Sequence, residues 1–267
     1  MSRRYDSRTT IFSPEGRLYQ VEYALEAINH AGTAIGILAK DGIALVAERK
    51  VTSKLLEQDC SAEKMYILNG STLCAVAGMT ADAAILIEYM RESSQEYLKI
   101  YNREPPVEHL VKKVCNFKQG YTQFGGLRPF GVSFLIAGYD DRHEFQLYTS
   151  NPSGNYSGWR ATSIGGNSSS AQTVLKQQLQ EAMSSSTDVT DATDASNALP
   201  TLEEAQKMAL RVLGKTSDST ALTAERLEVA TVALESNGRV QLRIWTPADV
   251  GKLLEESGVL EGEEAQE

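Results

Sequence analysis

Residues 33–47 read TAIGILAKDGIALVA. Two aliphatic runs, 33–39 and 43–47, flank Lys40-Asp41-Gly42. Asp-Gly between strand-like runs is a strong hairpin signal, because the turn needs backbone conformations that Asp and Gly tolerate. The same device recurs at 65–68 and 72–77 around Asn69-Gly70. Two hairpins in succession predict an antiparallel sheet.

Beyond the hairpins the hydrophobic period changes. Residues 81–101 and 107 to about 124 read as helices, separated by Glu104-Pro105-Pro106, where two prolines forbid a continuous helix. Strands resume at 132–139, 144–149 and 161–164, followed by helices from 168 to about 183 and at 202–213. The chain then reads as strands at 227–234 and 240–245, and as a short helix opened by Thr246-Pro247 as cap and first residue. On the other side of the first hairpin, Ser13-Pro14-Glu15-Gly16 has Pro at the second and Gly at the fourth position of a tight turn. Residues 17–31 then carry Leu18, Val21, Leu25 and Ile28 on one helical face, with Gly32 placed to end the helix. Pairs of strands alternating with pairs of helices predict an α+β fold, with two antiparallel sheets stacked face to face and helix pairs outside, a four-layer αββα sandwich. The expected organisation is an arm and turn at 1–16, one domain at 17–257, and an acidic tail at 258–267. Within the domain, the stretch 184–200, SSSTDVTDATDASNALP, has too little apolar content to offset its ordering entropy and reads as an insertion.

Composition excludes several classes of function. With 42% hydrophobic residues the chain of 267 residues can bury a sizeable core, yet no apolar run approaches the roughly 18 residues of a membrane span. A secretory signal is not expected, since Asp6, Glu15 and the turn interrupt any apolar stretch behind the basic start. Cys60, Cys74 and Cys115 are odd in number and far apart, which suggests neither a disulfide framework nor a zinc site. His30, His109 and His143 each lack a second ligand at helical spacing, so no metal and no cofactor is expected. Residues 177–206 and 253–267 together hold twelve acids and no lysine or arginine, which exceeds the whole net charge of -9. The acidity therefore belongs to solvated segments, and no basic stripe points to nucleic acid.

Two segments carry a family resemblance. Tyr5-Asp6, the run TIFSPEGRL at 10–18 and QVEYA at 20–24 resemble the amino-terminal signature of proteasome alpha subunits, and GYTQFGGLRPFGVS at 120–133 agrees with the same family. The resemblance runs from 5 to about 257. It implies the αββα fold of amino-terminal-nucleophile hydrolases, in a seven-membered ring of alpha subunits that caps rings of beta subunits. The implied partners are those alpha and beta subunits together with a regulatory ATPase particle and other activators, with no nucleic acid and no membrane, and the implied location is cytoplasm and nucleus.

In that family catalysis belongs to certain beta subunits, whose nucleophile is a threonine at the chain's own amino terminus with its free amine as base. Thr33 invites that role, but 32 residues precede it, and alignment on Gly36 puts Gly32, which has no hydroxyl, at the nucleophile position. Glu48 and Lys64 fall near the positions of the beta subunits' acid and lysine, so the scaffold echoes the site while its nucleophile is absent, and the resemblance implies a non-catalytic chain. The rival readings are an enzyme released by cleavage before Thr33 and a free-standing adaptor or homo-oligomeric ring.

The resemblance also implies site residues. Tyr5 and Asp6 would join cross-subunit hydrogen bonds at the gate, with Arg8 one place beyond Ser7, where the family usually has arginine, and with Pro14 as the hinge turn. Lys64 would receive an activator's terminal carboxylate in a pocket between neighbouring subunits, lined also by Glu22, Gly78 and Met79. Phe124, Gly125, Gly126 and Leu127 would form the turn lining the narrow pore.

Overall fold

The computed structural model describes residues 9–49, 64–185, 199–217 and 222–257. Tyr5, Asp6, Arg8, Cys60, most of the Ser/Thr/Asp stretch and the acidic tail lie outside them. The turn read from the sequence at 13–16 is present: the Gly16 amide donates to the Ser13 carbonyl at 2.9 Å, and Gly16 has φ +75°. The Arg17 amide donates to the Ser13 hydroxyl at 3.1 Å, so the turn is closed twice. Helix α1 (Tyr19–Asn29) follows, burying Val21 and Ile28, with Leu18 and Leu25 half-buried beside them.

Strands β1 (Ala34–Leu38) and β2 (Gly42–Glu48) form the first hairpin, in which Leu38 pairs with Ile43. Strands β3 (Met65–Ile67) and β4 (Thr72–Gly78) form the second. The remaining strands are β5 (Val132–Asp140), β6 (Glu144–Ser150), β7 (Tyr156–Gly158), β8 (Ala161–Ile164), β9 (Leu227–Leu234) and β10 (Val240–Ile244). The two hairpins do not share a sheet. One sheet has the order β10-β9-β2-β1-β8 and the other β3-β4-β5-β6-β7, all pairs antiparallel. The other helices are α2 (Thr80–Tyr101), α3 (Val107–Gln123), α4 (Ser168–Ser185), α5 (Leu202–Thr216) and α6 (Pro247–Ser257).

Side-chain alternation along the strands builds the layers. In β2, Ile43, Leu45 and Ala47 face the other sheet while Ala44 and Val46 pack under α4, α5 and α6. In β4, Leu73, Ala75 and Ala77 face inward while Cys74 and Val76 pack under α2 and α3. Three apolar layers therefore separate four layers of structure, the αββα sandwich expected from the sequence.

Local signals hold at several helix ends. Asn102, with φ 51°, ends α2 just before the double proline, and the Thr246 hydroxyl accepts the Asp249 amide to cap α6. Gly32 departs from its expected role. Helix α1 stops at Asn29 with His30 as its last cap, and Gly32 serves a close approach between backbones instead.

Candidate functional site

The nucleophile position lies where α1 feeds into β1. The Glu48 amide donates to the Thr33 carbonyl at 2.8 Å, which holds the end of β2 against the residue before β1. From the start of β3, the Lys64 ammonium reaches across and donates to the Gly32 carbonyl at 2.7 Å and the Glu48 carbonyl at 2.9 Å. A Cβ on Gly32 would lie 2.3 Å from the Glu48 oxygen and 2.9 Å from the Lys64 nitrogen, closer than side-chain carbons approach. The adjoining Thr33 hydroxyl is buried and donates to the Gly166 carbonyl at 2.6 Å. The nitrogen of Gly32 is a peptide amide, which has no basic lone pair to take a hydroxyl's proton. The Glu48 carboxylate accepts from the Ser217 hydroxyl at 2.8 Å, so the lysine stands at this position without a nucleophile or base, and no room is left for a side chain on Gly32.

The four proposed pocket residues lie on different elements. Glu22 sits in the first turn of α1, gripped by Arg17 through hydrogen bonds of 2.6 and 2.9 Å. Lys64 lies beyond the opposite end of that helix, on Gly32. Gly78 closes β4 with φ +124°, a conformation reserved for glycine, and a Cβ there would fall 2.1 Å from the Gly131 carbonyl. Met79, the residue preceding α2, is half exposed, and its amide donates to that same carbonyl at 2.9 Å.

Gly131 ends the segment that carries Phe124, Gly125, Gly126 and Leu127. The Phe124 amide still closes α3 on the Gly120 carbonyl, whereas the Phe124 side chain is 64% exposed. Gly126, at φ +84°, turns the chain, and Leu127 is exposed. The return is anchored by residues that sequence reading missed. Arg128 makes a two-pronged contact with Asp82 of α2 at 2.6 and 2.8 Å, and the Asp82 carboxylate also accepts the Gly131 amide at 2.9 Å. Phe130 is buried against Tyr121, with ring centres 4.4 Å apart. An aspartate in the apolar run that opens α2 was the available signal, but its partner is 46 residues away.

The Arg128 guanidinium holds the Asp82 carboxyl below the usual carboxylate range, with the Gly131 amide assisting and burial opposing. A depressed acid stabilises the fold above its ordinary value, about 4, and that contribution is lost as pH falls through the lower folded value. The anchor should therefore hold through the neutral range and fail only in acid. Asp82→Asn is expected to cost about 1–2 kcal/mol, at the modest end because Arg128 is 58% exposed and rehydrates. Acid denaturation curves check this: the variant should lose part of the wild-type decline, and an identical acid limb would refute the anchor.

Burial pushes the Cys74 thiol up to about 12 and the Cys115 thiol up to about 11, which makes both poor nucleophiles. Among the described residues no group of three or more His, Cys, Asp or Glu side chains could hold a metal ion, and no helix is long and apolar enough to cross a membrane.

The geometry defines an amino-terminal-nucleophile type of sandwich with its nucleophile position closed. Comparison with known proteins agrees. Residues 28–199 match the family model for proteasome subunits, and residues 5–27 match the N-terminal signature of the A-type proteasome subunits. The proteasome alpha type-3 subunit of Saccharomyces cerevisiae is 56% identical over 267 residues, covering 100% of this chain and 97% of that protein. The proteasome alpha type-4-1 subunit of Oryza sativa subsp. indica is 56% identical over 260 residues, covering 97% of each. The probable proteasome alpha type-3 subunit of Schizosaccharomyces pombe is 55% identical over 255 residues, covering 95% of this chain and 96% of that protein. The chain belongs to the proteasome subunit family, as a member of the alpha ring of the 20S core, the non-catalytic type.

Proposed function

We propose that this chain is a gatekeeping member of a seven-membered alpha ring, at the place of the type 4 subunit. It helps close the channel to folded proteins and receives the particles that open it. The observation that carries this reading is the doubly closed turn at Ser13–Gly16, directly behind the matched amino-terminal signature. A rigid turn ahead of α1 gives residues 1–16 a fixed pivot at Pro14, from which Tyr5 and Asp6 can exchange hydrogen bonds with neighbouring arms. A phenol donates and a carboxylate accepts, and such charge-assisted bonds are stronger than neutral ones. Arg8 adds a cation beside them, in place of the arginine missing at Ser7.

Glu22 and Lys64 stand at opposite ends of α1, so a pocket using both is built from two adjacent subunits, Lys64 with Gly78 and Met79 from one and Glu22 from the next. The Lys64 ammonium, already placed by two carbonyls, would present its charge to an activator's terminal carboxylate. The exposed Phe124 and Leu127, with the two glycines between them, would line the channel mouth. The beta ring and the regulatory ATPase particle are the partners of this reading, and cytoplasm and nucleus its location. The type 4 assignment rests on the opening SRRYDSR, in which serine follows Tyr-Asp; relatives named type 3 and type 4 match equally well.

Deletion of residues 2–9 is the direct test. Assembled core particle carrying the shortened chain should hydrolyse small peptides faster than wild type without any activator, and unchanged basal hydrolysis would contradict a closing role.

A further inference from the structure

Lys118 is among the largest wholly buried side chains of the described residues, and no site discussed so far uses it. It continues the apolar stripe of α3, after Leu110, Val111, Val114 and Cys115, into the core beneath the second sheet. Its amine donates to the Val132 carbonyl at 3.1 Å and to the Ser150 hydroxyl at 3.1 Å, and it stands 5.2 Å from the centre of the Phe134 ring. The groups facing it are the Cys115 thiol from α3, the Val132 carbonyl and Phe134 ring from β5, and the Ser150 hydroxyl from β6. Among the described residues no carboxylate bears on it.

The placement matters because of what lies between its ends. Lys118 precedes the turn at 124–127 by less than two helical turns, and Val132 is the first residue of β5 after the loop returns. The bond from Lys118 to Val132 therefore spans the base of the loop from inside, while Asp82 holds Arg128 and Gly131 from α2. We propose that Lys118 is a positioning residue of the turn at 124–127: it ties the helix before that turn to the strand after it, so an opening that parts the base of the loop brings this amine into water. This rests on the reading of the turn as pore-lining for its consequence in gating, though not for the tie itself.

Burial pushes the Lys118 amine down from its ordinary value of 10.5 to about 7. A lowered base binds fewer protons closed than open throughout the interval between those values, so the closed loop is favoured increasingly as pH rises above about 7. Below that the amine is charged in both states and the dependence vanishes.

Hydrogen–deuterium exchange on assembled core particle tests the tie. In wild type the opening equilibrium of 124–131, corrected for intrinsic exchange, should fall by up to about tenfold per pH unit between about pH 7 and pH 9. Residues of α5 in the same particle should show no such slope. Lys118→Met should abolish the slope in 124–131 and change the rate ratio for long over short peptides. A wild-type segment without the slope, or a variant that keeps it, would overturn the tie. A lost slope with unaltered peptide selectivity would leave the tie standing and sink the pore-lining reading. If Lys118→Met fails to assemble, the wild-type slope measured against α5 decides by itself.

Discussion

A Gly32→Thr chain is expected to gain no hydrolytic activity and to lose on the order of 3 kcal/mol or more of stability, as overpacked buried positions do. The conflict begins at the first added atom, which would sit 2.3 Å from the Glu48 carbonyl. That oxygen cannot withdraw without disturbing the end of β2, where the Glu48 amide is committed to Thr33. Nor can Lys64 yield freely, because moving its ammonium leaves two carbonyls without their donor. Even a tolerated hydroxyl would stand beside an amide instead of an amine and would find no base. Yield and thermal midpoint of the assembled particle, with a threonine-directed covalent probe, check both halves. Gly32→Ala is the companion variant and should cost nearly as much. A stable Gly32→Thr particle, or a labelled chain, would refute the picture of a closed position.

Gly78→Ala should be comparably severe for two additive reasons. The φ of +124° excludes an L side chain, and the new carbon would lie 2.1 Å from the Gly131 carbonyl and 3.0 Å from the Val132 Cα. Strain and overlap together suggest about 3–5 kcal/mol. The damage would fall where β4 pairs with β5, Gly78 opposite Val132, and would separate the Met79 amide from its acceptor. The expected result is sharply reduced incorporation into core particle on native gels, with leaky basal hydrolysis in whatever assembles. Gly125→Ala supplies the contrast, since no heavy atom comes within 4 Å of its added carbon, and it should stay within about 0.5 kcal/mol of wild type. Equal behaviour of the two variants would show that the junction at Gly131 is not under close constraint.

Features written in neighbouring residues were legible in the sequence. Asp41-Gly42 and Asn69-Gly70 mark real hairpins, Pro105-Pro106 separates α2 from α3, and Thr246-Pro247 opens α6. The layer architecture followed from the grouping of those elements. Sheet membership did not, because it depends on distant pairings such as β1 with β8 and β2 with β9, for which local pattern carries no information. Strand β7 escaped because it has three residues, two of them exposed, with no apolar alternation to reveal it. At the site, Gly32 was legible as a position without a hydroxyl, but the carbonyl and ammonium that fill its surroundings come from the ends of β2 and β3. Lys118 and Asp82 were overlooked for the same reason. A charged residue within an apolar stripe gains its meaning only once its hydrogen-bond partners are known.

Both margins of the second sheet are strands of three residues, β3 and β7. Short margins offer few free backbone groups to a foreign strand. On the first sheet the outer strand β10 is longer, but it carries the exposed Arg243, paired with Asp249 and lying over Trp245. A copy synthesised ahead of its ring mates is therefore a poor template for fibril growth. Surplus subunits should remain dispersed while they await assembly.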